Sequence, residues 1–193
     1  MSEDAELVSR IRDGDLGAFE TLYAKYKRRL YQTALAITGD SGAAEEVLQD
    51  CFVRAYQAMD RVNAATSLAP WLYRITVNLS YNWSSRRRRW PLELDSLIDR
   101  LIAGPTASPE VAAEGTELRQ IVWDAVSSLS FKHRSVVVLF YVQGLSLKEI
   151  AYILDCPVGT IKSRLHYACQ SLRSKLSEDR RLAGEVAYET SWQ

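Results

Sequence analysis

Arg74, Asn78, Tyr81 and Ser85 stand at i, i+4, i+7 and i+11 of one segment, a spacing that puts all four on a single helix face. A guanidinium, an amide, a phenol and a hydroxyl in a row can hold phosphate and stack an unpaired base, and the face runs on into Arg86, Arg87, Arg88 and Arg89. A second basic and polar set, Thr160, Lys162, Ser163, Arg164 and His166, lies in a stretch from Cys156 to Leu176 that holds no acidic residue. A third set is mainly acidic or neutral: Glu46, Gln49, Asp50 and Arg54 share one side of a segment whose other side is apolar. Taken alone, such acids read as a solvated helix face. No Ser/His/Asp order, metal-ligand cluster or phosphate-binding glycine loop occurs in the chain, so the residues point to binding rather than catalysis and no cofactor is expected.

The totals hide this. The 193 residues carry 24 Lys+Arg against 24 Asp+Glu, a formal net charge of zero that argues against a nucleic-acid partner. Along the chain the sign alternates: residues 1–60 hold 7 basic and 11 acidic side chains, 61–91 hold 6 and none, and 92–130 hold 2 and 7. Residues 131–176 hold 7 and 2, and 177–193 hold 2 and 4. Segmental asymmetry of this kind points to nucleic-acid contact where the whole-chain sum does not. The 47% apolar content with only 9 Gly and 5 Pro excludes a disordered or collagenous chain and suits one ordinary domain or two small ones. The longest apolar run, Val136 to Val142, is far short of the roughly 20 residues of a membrane span. The acidic start Met1-Ser2-Glu3-Asp4 is unlike a signal peptide, so no membrane insertion and a cytoplasmic address are expected. Cys51, Cys156 and Cys169 are an odd, scattered set that suggests neither disulfide nor zinc site. Each is expected to be a small buried apolar residue, with a redox-sensing thiol at Cys51 or Cys156 as the alternative.

The positioning elements are helices. Phe19, Leu22, Tyr23, Tyr26, Leu30, Ala34 and Ile37 form one apolar stripe that Gly39 ends. Val47, Leu48, Cys51, Phe52, Ala55, Tyr56 and Met59 form the next. A third helix is expected from Ser67 as N-cap to about Arg89, with Pro70 tolerated in its first turn and Leu68, Leu72, Ile75, Leu79 and Trp83 on its apolar side. Residues 91–116, broken by Pro91, Gly104, Pro105, Pro109 and Gly115, read as a flexible acidic linker with a weak helical turn around Leu94 to Ile102. Helix resumes near Glu117. The run Ser135 to Val142 fits strand or buried helix, and helical neighbours decide for helix. Ser146 and Glu149 have the spacing of a capping box, with Leu145 and Ile150 as its hydrophobic staple. A short turn at Asp155-Cys156-Pro157 follows, and a second helix starts at about Val158: a helix-turn-helix pattern. The expected architecture is all-α, two small helical domains joined by the acidic linker, the second containing the helix-turn-helix.

Three motifs in this order resemble the bacterial RNA polymerase sigma factors of the extracytoplasmic-function (group 4) subfamily across residues 15–176. They are Ala44-Glu45-Glu46-Val47-Leu48-Gln49-Asp50-Cys51-Phe52-Val53-Arg54-Ala55-Tyr56, then Trp71-Leu72-Tyr73-Arg74-Ile75-Thr76-Val77-Asn78, then Gly144 to Ala151 with Gly159-Thr160-Ile161-Lys162-Ser163-Arg164-Leu165. The resemblance implies a sigma region 2-like domain at 1–90, a linker at 91–116, a region 4-like helix-turn-helix domain at 117–176 and a tail at 177–193 beyond the pattern. It implies that Glu46, Gln49, Asp50 and Arg54 dock on core RNA polymerase. Arg61, Asn63, Thr66, Ser67, Arg74, Asn78, Tyr81, Arg86, Arg87 and Arg88 would read and melt the minus-ten element, capturing a flipped base. Ser146, Lys148, Val158, Thr160, Lys162, Ser163, Arg164 and His166 would meet the minus-thirty-five element, with Lys162 or Arg164 able to pair with guanine in the major groove. Asp155 stands where the family usually has Gly, and Asp tolerates a left-handed backbone better than most residues. An anti-sigma factor joins polymerase and promoter DNA as an expected partner, and the acidic linker would lie against polymerase's basic channel.

The competing reading is a stand-alone helix-turn-helix regulator whose first 90 residues sense a ligand or dimerise; such a domain has no need of six basic and no acidic residues over 61–91. Zero net charge separates the two. Long-range attraction to DNA is largely cancelled in a neutral chain, so promoter binding should be weak for the isolated protein and strong once polymerase covers the acidic blocks. Gel shift of duplex promoter DNA with and without core polymerase checks this, and tight specific binding by the protein alone would favour the regulator.

Overall fold

The computed structural model describes residues 3–62, 68–86 and 109–178, of which 86 and 109–117 through the backbone alone. Among the described residues there are eight α-helices and no strand: α1 (Glu3–Arg12), α2 (Leu16–Thr38), α3 (Ser41–Ala58), α4 (Leu68–Arg86), α5 (Pro109–Ser127), α6 (Phe131–Val137), α7 (Leu147–Ile153) and α8 (Val158–Glu178). A single 3-10 turn, Met59–Arg61, follows α3, and a π-helical turn, Val138–Val142, follows α6.

Local chemistry sets the boundaries. The Asp15 carboxylate accepts the Ala18 N–H at the start of α2, and the Asp40 carboxylate accepts the Ala43 N–H at the start of α3. Between them Gly39 adopts φ 71° and donates its N–H to Leu35, the left-handed stop that the sequence places there. α1, where the acidic start leads into helix-like sequence, buries Ala5, Leu7, Val8 and Ile11 at helical spacing. It is pinned by the Tyr26 hydroxyl donating to Asp4 at 2.6 Å and by Lys25 bridging Glu3 at 2.5 Å and Asp4 at 2.8 Å. Arg12, at its end, donates to the carbonyls of Met59 and Val62 and so ties the chain leaving α3.

In the first half α2, α3 and α4 pack on one another, with Leu22, Leu30, Ile37, Cys51, Ala55 and Leu72 fully buried. The predicted stripes face this core, with two exceptions: Tyr23 and Tyr56 stay exposed at its edge, where they meet the rings of Phe52 and Phe19. α4 departs further from the predicted arc. Tyr73, Thr76, Val77 and Ser80 are buried along with Leu68, Leu72 and Leu79: Thr76 faces Cys51 of α3, and α7 covers the helix on a second side.

The two halves therefore share a core. Leu72, Tyr73 and Val77 belong to the same buried cluster as Val136, Leu139, Ile150 and Ile153, and among the described residues a small satellite of Val126, Leu129, Val137 and Ala168 is private to the second half. The 135–142 run is helical as expected, but its end is a π turn in which Gln143 N–H reaches back five residues to Val138. α5 starts at Pro109, ahead of the expected Glu117; proline suits a first turn, and the helix continues through Gly115 at a cost of about 1 kcal/mol. The expected turn at Leu94–Ile102 and the tail from 179 lie outside the described residues.

Burial pushes the Asp4 carboxyl upward, but hydrogen bonds from Lys25 and Tyr26 outweigh it and hold the pKa below the usual carboxylate range. A depressed folded-state pKa contributes stability above the unfolded value and loses it as pH falls through the folded one. Asp4→Asn should therefore lower the unfolding free energy by about 1 kcal/mol at pH 7, a difference that fades below roughly pH 4; urea titrations at both pH values measure it.

Candidate nucleic-acid interface

The described part of the polar face of α4 is only partly open to solvent. Arg74 leaves the helix toward the second half, where one guanidinium nitrogen donates to the Tyr152 carbonyl at 3.1 Å and another lies 3.4 Å from the Asp155 carboxylate. Its guanidinium also sits 5.4 Å from the centroid of the Tyr152 ring. Tyr81 is half exposed, and its ring meets Phe131 edge-on with centroids 4.9 Å apart. Asn78 is exposed between them, and Ser85 turns its hydroxyl back onto the Asn82 carbonyl. Arg61 is exposed at the end of the 3-10 turn. Asn63, Thr66, Ser67, Arg87, Arg88 and Arg89 lie outside the described residues, and Arg86 is described only by its backbone.

The acidic face has a definite place. Glu46, Asp50 and Arg54, one turn apart on α3, line a shallow cleft that α4 closes with Leu79, Asn82 and Trp83. Gln49 is exposed on the same helix but is not part of that cleft's lining.

In the second half the helix-turn-helix forms as its motif dictates. Ser146 accepts the Glu149 N–H at 3.3 Å while the Glu149 carboxylate accepts the Ser146 N–H at 2.8 Å, closing the capping box. The Ser146 hydroxyl also donates to that carboxylate at 2.6 Å, so this side chain is spent on starting α7 before any DNA contact. Asp155 takes φ 50°, the left-handed conformation expected of it, and Cys156 N–H closes the turn onto Ala151. On α8, Lys162, Ser163 and His166 are exposed, and Val158, Thr160 and Arg164 are half-buried. Ser163 donates to the Gly159 carbonyl at 3.0 Å, and Arg164 lies 3.6 Å from the Cys156 sulfur, which steers its guanidinium along the turn. Lys148 is exposed on α7.

Three residues at the junction of the halves escape sequence reasoning. Gln143 accepts the Tyr73 hydroxyl proton at 2.9 Å; burial pushes that phenol's pKa up to about 12, which keeps it a donor. Arg134 donates to Ile37 O at 2.8 Å and Leu129 O at 3.1 Å, and to Ser127 O, joining the ends of α2 and α5, while its Nε is buried without a partner. Burial pulls its pKa down. Asp155 was legible as a turn former but not as a partner of Arg74, because nothing in the chain's order brings positions 74 and 155 together.

Two helical units, one ending in a helix-turn-helix and the other offering a basic aromatic helix and an acidic cleft, define a bipartite DNA-binding protein. Family models agree in detail: Sigma-70 region 2 matches residues 22–90 and Sigma-70, region 4 matches residues 125–174. The chain is 33% identical over 180 residues to the ECF RNA polymerase sigma-E factor of Escherichia coli (strain K12), covering 90% of this chain and 94% of that protein. It is 32% identical over 183 residues to the ECF RNA polymerase sigma factor SigW of Bacillus subtilis (strain 168), covering 89% and 95%. Among solved structures it is similar in fold to CnrH in complex with the cytosolic domain of CnrY, with TM-score 0.70, 24% identity and coverage of 92% of this chain and 99% of that one. It is also similar to the sigma factor RpoE in complex with the anti-sigma factor NepR from Bartonella quintana, with TM-score 0.67, 24% identity and coverage of 84% and 98%. The chain belongs to the extracytoplasmic-function sigma factors of RNA polymerase. It is an alternative sigma factor, directing transcription initiation, and the region 2 match over the first half replaces the stand-alone regulator reading.

The cysteines divide. Cys51 is fully buried and accepts the Thr76 hydroxyl proton at 3.3 Å; burial pushes its thiol up to about 11, with the Thr76 bond pulling the other way. Cys156 and Cys169 are partly exposed, unlike the expectation of burial, since the turn and the outer face of α8 cover them on one side only. A thiol-disulfide reagent at pH 8 should titrate two thiols rapidly in the native chain and the third only on unfolding; rapid reaction of Cys51 would contradict its burial.

Proposed function

We propose that the acidic cleft between α3 and α4 docks on core RNA polymerase and that the two basic faces read the promoter. Glu46, Gln49, Asp50 and Arg54 make the polymerase contact. Arg61, Asn63, Thr66, Ser67, Arg74, Asn78, Tyr81 and the arginines at 86–88 open and hold the minus-ten element. The outer face of α8, with Val158, Thr160, Lys162, Ser163, Arg164 and His166, and with Ser146 and Lys148 beside it, meets the minus-thirty-five element. The observation that carries this reading is the separation of signs in space: Glu46 and Asp50 line one cleft, whereas Lys162, Ser163 and His166 stand on a helix with no acid before residue 177.

The protein works by binding alone, without a catalytic step or cofactor of its own, in the cytoplasm. No described helix is long and apolar enough to cross a membrane. An anti-sigma factor is its expected regulator, by likeness to the RpoE–NepR complex.

Asp50→Lys places a cation in the cleft at an exposed position, so the fold should survive. It should weaken core polymerase binding by at least about tenfold, as a like-for-unlike charge swap at an interface does, and abolish run-off transcription from a genomic promoter library. Circular dichroism controls for folding, and undiminished transcription would remove the cleft from the polymerase interface.

A further inference from the structure

Arg74 is engaged on three sides by the helix-turn-helix. It meets an anionic oxygen from Asp155 at 3.4 Å, a neutral carbonyl oxygen from Tyr152 at 3.1 Å and an aromatic face at 5.4 Å. An unpaired nucleotide offers an arginine the same three things: a phosphate oxygen, a neutral acceptor and a ring to lie against. The Asp155 carboxylate is not needed for the turn itself, since Asn or Gly holds φ 50° as well. The side chain is nevertheless spent on Arg74. Tyr81, on the same α4 face, meets Phe131 of the second half edge-on.

We propose that the turn at Tyr152–Asp155 is an intramolecular stand-in for a promoter nucleotide, occupying Arg74 in the free chain until DNA displaces it. The second half thus inhibits reading by the first. The contact is suited to release: the Asp155 side chain is 82% exposed and its ion pair is long, so a phosphate can compete for the guanidinium. This inference rests on the assignment of Arg74 to promoter DNA, and the test separates the two.

Four full-length chains are compared: unchanged, Asp155→Asn, Arg74→Ala and the double variant. Asn keeps the left-handed turn and removes the charge. Phenylglyoxal modification of Arg74, followed by peptide mass spectrometry, reports whether the guanidinium is free. Fluorescence anisotropy with a fluorescein-labelled, mixed-sequence single-stranded 20-mer at low salt reports binding. Asp155→Asn should speed Arg74 modification and tighten DNA binding about two- to fivefold, and the gain should vanish in the Arg74→Ala background. An unchanged modification rate overturns the stand-in. So does an equal gain without Arg74, which would mean that only a repelling charge was removed. Faster modification with no gain in DNA binding overturns the inhibitory role, while binding undiminished in the single Arg74→Ala variant overturns the assignment of Arg74 to DNA.

Discussion

Burial of α4 on two sides is the constraint around which the molecule is organised. Leu72 and Leu79 close the core with α2 and α3, while Tyr73 and Val77 lie in the buried cluster that takes in Ile150 and Ile153 of α7. A helix covered on one side only would leave its polar flank open, and Arg74 and Tyr81 would be the free side chains their spacing suggests. Covered on both, α4 carries these residues at the seam between the halves, where they meet partners from the second half. The cost of burying hydroxyls on α4 is offset by pairing: Ser80 bonds back to the carbonyl one turn earlier, Thr76 faces Cys51 of α3, and Tyr73 reaches Gln143 across the seam.

That double burial also explains what could and could not be read in the chain. Stripes on α2 and α3, the Gly39 stop, the capping box at Ser146 and the left-handed Asp155 all rest on interactions within a few residues, and each is legible from type and spacing. The polar face of Arg74, Asn78 and Tyr81 was found for the same reason. Its occupancy was not: residues 74 and 155, 81 and 131, and 134 and 37 meet through tertiary packing that no local pattern encodes. The π turn at Val138–Val142 is invisible for a related reason. A period of 3.6 describes Ser135 to Val142 well, and the single widened turn that carries Gln143 toward Tyr73 leaves no mark in hydrophobic order. α1 is held by the Asp4, Lys25 and Tyr26 network, which again joins distant positions.

The sign pattern and the seam together account for a neutral chain acting on DNA. Acidic and basic blocks cancel in the sum, yet folding distributes them: the cleft of Glu46 and Asp50 on one side, the Lys162 and His166 face of α8 elsewhere, and Arg74 held at the seam of the halves.

Arg134 gives the seam a thermodynamic character of its own. Its guanidinium sits buried against the last turn of α2 and the end of α5, with one nitrogen unpaired and its cationic form disfavoured by burial. Parting the halves rehydrates this cation and strips the Ile37 carbonyl of its donor. Domain separation is therefore an ion-solvation event as well as a loss of apolar contact.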